Sequence, residues 1–311
     1  MSYPISAGSV VSPAYSGTFI PQIWSKKMIE KFYATTVLAQ ISNTDYEGEI
    51  KAQGDLVKIR TVPDIAINDY AIGQDLVLQR PASDVVELLI DKGKSWSVIC
   101  DHVVKTQSDL DLMNIWSTNA SERMKIQIDR DVLAVLGPLV AAANRGATAG
   151  ALSANVNLGV TGTPLALTKV NILDILVDMN EVLTQQNVPE QGRKFVLPFW
   201  AASLLKKSDL KDASMTGESA SAMRNGRIGS VDGCEVFVSN LLPNVTDGAI
   251  ANCSNIYAVH PNALTFASQI VRVDAPFPAQ HTFGDIMRGL QVFGYKMIDS
   301  TAMASAYVYK G

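Results

Sequence analysis

A chain of 311 residues that is 47% hydrophobic and 18% charged can bury a sizeable core and is too apolar to stay disordered. Its net charge of −4 excludes a protein whose main work is gripping phosphate backbones, which takes a clustered cationic footprint. The length allows one large or two moderate domains, and no window offers the ~18 apolar residues of a membrane-spanning helix.

Residues 1 to about 22 are rich in Ser, Gly, Pro and Tyr without a period and read as an extended arm. The start has no positive region followed by an apolar one, so it is not read as a secretory signal, and a cytoplasmic site of synthesis is expected. Val10, Val11, Phe19 and Ile20 would be costly in water, so the arm is expected to lie against something. Trp24, Met28, Phe32, Leu38 and Ile41 then fall near one face of a helix.

After a polar break, Val57, Ile59, Thr61, Ile65 and Ile67 alternate with charged residues, and Val86, Leu88, Ile90, Trp96 and Val98 share one parity downstream. Between them, "INDYAIGQDLVLQR" is a polar turn. The pattern predicts a long two-stranded arm over 57–99, which alone would expose two unpaired edges.

The most helical stretch starts at Ser108, whose spacing to Asp111 matches a capping box. Leu112, Trp116, Ala120, Met124, Ile128 and Val135 form its predicted stripe, with no Gly or Pro before Gly137 and Pro138. Small residues from 144 to 164 mark a boundary near 160. A second module is expected beyond it: a helix from Thr168 to about Gln186, the buried strand "KFVLP", a helix through "FWAASLLKKS", a polar loop, and the strands "GCEVFVSN", "NIYAVHP", "LTFASQIVRVD" and "RGLQVFGYKMIDSTAMASAYVYK". Asn225-Gly226 is the expected tight turn, and Gly229 and Gly233 the expected bends.

Chemistry-bearing motifs fail on their spacing. "GKS" at Gly93–Ser95 lacks its first glycine, since position 88 is Leu88, and it sits in a strand pattern. "NTDYEG" echoes a calcium loop at Asn43, Asp45, Glu47 and Gly48, but Gly54 stands where Glu is required. His102, His260 and His281 have no paired-ligand spacing, and Cys100, Cys234 and Cys253 read as buried, reduced thiols. The carboxylates Asp129 with Asp131, and Asp274 with Asp299, read as solvated charges. No catalytic, cofactor or metal residues are assigned.

Taken together in order, "IWSKKMIEKFYATTVLAQISNTDYEGEIKAQGDLVKIRTVPDI", "MKIQIDRDVL", "QNVPEQGRKFVLPFW", "LKKSDLKDASMTGES", "RNGRIGSVDGCEVFVSNLLP" and "FGDIMRGLQVFGYKMI" resemble the major capsid (coat) proteins of tailed bacteriophages, of the Hong Kong 97 type. The resemblance implies an α+β fold. It has an N-terminal arm and helix at 1–47, an E-loop hairpin at 48–103, a peripheral P-domain with its spine helix at 104–165, an axial A-domain at 166–265, and P-domain return strands at 266–311. It also implies a non-enzymatic protein without cofactors, assembled in the host bacterial cytoplasm as hexamers and pentamers into an icosahedral virion shell. The implied partners are a separate scaffolding protein, a portal and, weakly, packaged double-stranded DNA; no membrane is involved.

The hairpin would lie across the neighbouring subunit, which makes Asp69, Tyr70, Gln74, Asp75 and Arg80 at its tip candidate contacts. Some family members cross-link lysine to asparagine, but Lys58, Lys92 and Lys94 read here as solvated strand charges. The alternatives are an encapsulin-like nanocompartment shell with the same fold, or a soluble enzyme with an unfamiliar site.

Overall fold

A computed structural model of the chain describes residues 34, 36–45, 56–63, 65–69, 71–107, 111–208, 230–279 and 282–311. Ser108, Tyr70, the Asn225-Gly226 turn, Gly229, His281 and the helix stripe before residue 34 lie outside them. In chain order, α1 spans Leu38–Ile41, β1 Leu56–Arg60, β2 Val85–Leu89, β3 Lys92–Asp101, α2 His102–Gln107, α3 Leu112–Leu139, β4 Leu165–Leu167 and α4 Ile172–Gln185. There follow β5 Lys194–Pro198, α5 Phe199–Lys207, β6 Ser230–Val231, β7 Cys234–Ser239, β8 Val245–Asp247, β9 Ile250–Val259, β10 Leu264–Pro278, β11 Gly284–Met297 and β12 Met303–Lys310.

The 28 residues of α3 make a rod of about 42 Å. Asp111 is its N-cap, with its carboxylate accepting from Asn114 N, rather than the third residue of a box opened at Ser108. The predicted stripe holds to Ile128 and then rotates. Val132, Leu133 and Leu136 are fully buried, whereas Val135 is 42% exposed. The reason is that the helix changes neighbours along its length. Its first turns pack Met113, Leu112 and Trp116 on Cys100, Trp96 and Met287 of β3 and β11, while its last turns join the main core.

That main core belongs to a mixed sheet ordered β4-β12-β9-β5-β7-β6, with parallel pairs β4/β12 and β5/β7. The predicted buried strand β5 is there, with Phe195, Val196 and Leu197 fully enclosed. Spacing at i, i+3, i+4 and i+7 gives α4 a single apolar face of Ile172, Ile175, Leu176, Met179, Val182 and Leu183. The hairpin from β6 to β7 turns on Asp232 and Gly233, both at positive φ, as a two-residue type I′ turn requires.

One arginine holds the end of α4. Arg193 is 1% exposed and donates to Pro189 O at 2.9 Å, Val188 O at 2.6 Å, Asn180 O at 3.0 Å, Thr184 Oγ1 at 3.0 Å, and Asn180 Oδ1. Among the described residues no carboxylate pairs with it. Its charge faces the carbonyl-rich C-terminal end of α4, where the helix dipole favours a cation.

Asp129 departs from its expected place on a solvated helix face. It is 1% exposed and its Oδ2 accepts from Val37 N at 2.9 Å, so that α3 caps α1 from across the fold. Burial raises its pKa, against the downward pull of the Val37 and Leu38 amides. Asp129→Ala, which strands those amides, is expected to cost about 1–3 kcal/mol. Asp129→Asn keeps an acceptor without a buried charge, but its amide nitrogen takes the place of Oδ1, which is buried without a partner, so it should lose less stability at pH 7 than Asp129→Ala. Because the native pKa is the higher one, protons favour the folded wild type, and the wild type should gain on the Asn variant as pH falls from that raised value toward ~4. Urea melts across that range check both signs, and equal losses for the two variants would refute the capping role.

The predicted arm is divided. β1 and β2 pair antiparallel over only five residues each, from Leu56↔Leu89 to Arg60↔Val85. β3 instead lies along β11, from Lys92↔Phe293 to Asp101↔Gly284, and β10 covers the other edge of β11. The parity reading holds on both parts. Ile59, Leu88 and Ile90 are buried against Ala267 with Val57, Val86, Val292 and Ile298 around them, while Trp96 and Val98 are half-buried against α3.

Candidate functional site: an exposed apolar loop

Beyond Thr61 the ladder stops and side chains take over the pairing. Thr61 N donates to Asp84 O at 3.0 Å and Ser83 Oγ to Thr61 O at 2.6 Å. Farther out, Gln79 imitates a strand partner: its Nε2 donates to Ala66 O at 2.7 Å and its Oε1 accepts from Ala66 N at 3.1 Å. The tip closes in a turn where Gln74 N donates to Ala71 O at 3.0 Å. Gly73 provides the positive φ of +87° that its third position requires.

This frame carries aliphatic side chains into water. Ile72 is 100% exposed, Val62 93%, Ile67 92% and Leu78 90%, with Ile65, Leu76 and Val77 also exposed. Single exposed aliphatics are ordinary, but seven within one loop make the kind of exposed apolar surface found at interaction sites. The expected continuation of strand alternation through Ile65 and Ile67 therefore fails, because neither residue has a sheet beneath it. The sequence from 61 to 84 adds four aspartates, at 64, 69, 75 and 84, against the single Arg80. The loop is thus apolar and acidic together.

Of the candidate contacts, Asp69, Gln74, Asp75 and Arg80 are exposed on this loop. Gln74 is partly committed, since its Oε1 accepts from Ala71 N at 3.3 Å. The aliphatic residues are the stronger feature. Sequence reasoning missed them by reading the segment as a polar turn, although "IGQDLVL" contains the signal.

The remaining chemistry-bearing residues have structural work. Gly93–Ser95 is strand, paired with β11. Cys100, Cys234 and Cys253 are buried and free, and burial pushes the Cys234 thiol up to about 11. Asp274 bridges Arg272 and Arg288 at 2.6 Å each, and these guanidinium groups lower its pKa. Asp299 caps the turn at Ser300–Ala302, accepting from Thr301 N at 2.9 Å. His260 Nδ1 accepts from Asn262 N at 3.3 Å. Lys58, Lys92 and Lys94 are paired rather than merely solvated, with Glu87 at 3.3 Å, Asp91 at 2.7 Å and Asp131 at 2.5 Å. Among the described residues no group of three His, Cys, Asp or Glu is placed to hold a metal, and no helix is long and apolar enough to cross a membrane.

A family model described as phage capsid protein matches residues 101–306, more than half of the chain. The fold is similar to a structure from Mycobacterium phage Che8 at 27% identity and a TM-score of 0.75, over 94% of this chain and 98% of that one. It is also similar to the capsid of cyanophage P-SCSP1u, at 14% identity and a TM-score of 0.70 over 94% of each chain. A structure from Gordonia phage Cozz, at 14% identity, gives a TM-score of 0.64 over 99% of each chain. No curated protein matches the sequence.

Proposed function

The chain belongs to the phage capsid protein family, and from that premise we propose that its copies close an icosahedral shell by laying loop 61–84 of each subunit across a neighbour. It is a major capsid protein of the Hong Kong 97 fold, located in the virion. The observation that supports the loop's role is its surface. A subunit that leaves Val62, Ile67, Ile72 and Leu78 in water is incomplete on its own, and an assembly of identical subunits covers that surface by symmetry.

On this reading residues 1–47 are the N-terminal arm, 48–103 the E-loop region, 104–165 the P-domain with α3 as its spine, 166–265 the A-domain and 266–311 the return strands. Among the described residues of 48–103, β1, β2 and the loop between them project, whereas β3 is built into the sheet of β10 and β11. Asp69, Tyr70, Gln74, Asp75 and Arg80 contact the neighbour in hexamers and pentamers. A separate scaffolding protein and a portal complete assembly in the host cytoplasm. The acidic chain suits a wall that touches packaged DNA only weakly, and it performs no catalysis. The family match favours a phage shell over a cellular nanocompartment.

Size-exclusion chromatography and negative-stain electron microscopy of the purified protein, alone and with the scaffold encoded beside it, test this. Closed shells of one diameter, or capsomer rings, are expected. A discrete monomer or dimer under both conditions would overturn it.

A further inference from the structure

The path by which the arm leaves the body turns on one residue. β3 follows β11 up to the pair Lys92↔Phe293, and the next residue of β11 is Gly294. There the chain departs from the ladder at Ile90 and Asp91, and β2 folds over the face of β11 instead of extending beside it. Gly294 permits this crossing. A Cβ at Gly294 would stand 3.0 Å from Ile90 Cα and Leu89 C, and closer still to Leu89 O. All three are backbone atoms with no rotamer to yield. The partner of Gly294 on β10 is Ala267, so the two small residues form a notch that receives Ile59, Leu88 and Ile90.

We propose that Gly294 is the positioning residue of the arm, its missing side chain setting the angle at which loop 61–84 is presented to the neighbouring subunit. The inference rests on the shell reading above, because an arm angle matters only if the loop has a neighbour to meet. Carbon atoms rest at about 3.5–4.0 Å, so a methyl group at Gly294 lifts the Leu89 end of the hairpin by about 1 Å. Five residues of strand make a seat of ~16 Å, and a loop of 24 residues reaches at most ~40 Å. The lift then tilts the arm by roughly 4° and moves its tip by about 2–3 Å. Packed interfaces do not absorb such a shift, so the curvature at which subunits close changes with it.

Gly93 is the internal control. It sits on the neighbouring strand, opposite Val292, and a Cβ there meets nothing within 4 Å. The experiment compares G294A with G93A in two readouts. In the unassembled protein, spin labels on Q74C and R130C report the distance from loop tip to α3, with the three native thiols buried and unlabelled. In assembly, electron microscopy reports shell diameter and yield. G294A is expected to displace the label distance by about 2–3 Å, to lower shell yield at least tenfold or broaden the diameters, and to keep the circular dichroism of the wild type. G93A should behave as the wild type in both readouts. An unchanged distance in G294A overturns the proposal, and so does a displaced arm that still closes wild-type shells in wild-type yield. Should the wild type itself form no shells, the shell reading fails while the distance in G294A still reports on the pivot.

Discussion

Replacing Ile67, Ile72 and Leu78 together with Ser is expected to leave a subunit that folds and melts like the wild type but no longer assembles. The separation of the two effects follows from burial. The three side chains are 92%, 100% and 90% exposed in the subunit, so removing them subtracts no intramolecular contact. In an assembly each would be covered, and complete burial of such a side chain yields about 1.5–3 kcal/mol. Even one third of that over three residues is about 1.5–3 kcal/mol per contact, or roughly ten- to a hundredfold in its association constant. A closed shell repeats the contact in every subunit, so the critical concentration for assembly rises steeply. Deleting Asp69–Asp75 should do the same by removing the tip. Sedimentation velocity measures assembly and a urea melt measures folding. Shells from the triple variant at wild-type concentration would refute the loop's role, whereas loss of folding would mean that the loop also stabilises the subunit.

Elements were legible where local period and packing agree. α4, β5, α5, β7 and the strands from β9 to β12 follow from apolar spacing, because their apolar residues are the ones that the sheets and helices beside them bury, whereas the short β8 at Val245–Asp247 was not expected. Legibility ended where a neighbour distant in sequence decides the outcome. Nothing in "VELLIDKGKSWSV" marks Ile90 and Asp91 as the place where one strand run divides between two partners; that depends on Gly294, some 200 residues later. Val135 has the spacing of a stripe residue, yet the buried face of α3 turns away from it as the helix passes from the smaller sheet to the larger one. Asp129 offered a partial signal, being flanked by Ile128, Val132 and Leu133, all buried. A charge inside so apolar a stretch is expected to have a partner, but its partner is backbone, and backbone donors leave no trace in a sequence.

Arg193 left even less, since "PEQGRKFVLP" reads as an ordinary polar turn before a strand. Its substitution should nevertheless be the most damaging single change to folding. The guanidinium satisfies five acceptors on α4, on the Val188–Pro189 turn and on the Asn180 and Thr184 side chains. Arg193→Ala strands the Val188 and Pro189 carbonyls in a place water does not reach, while Asn180 O keeps the Thr184 hydroxyl as a donor; each orphaned acceptor costs about 1–3 kcal/mol. A net loss of about 3–5 kcal/mol is expected, a large share of the 5–15 kcal/mol that holds a typical domain folded. Arg193→Met separates packing from hydrogen bonding. It restores much of the volume and none of the donors, so it should recover little if the bonds dominate. Arg193→Lys keeps the charge but not the planar fork that reaches opposite sides of the turn, and should fall between Ala and the wild type. Urea denaturation of the unassembled subunit orders the three variants. A Met variant as stable as the wild type would show that Arg193 fills space and that the charge facing the end of α4 contributes nothing.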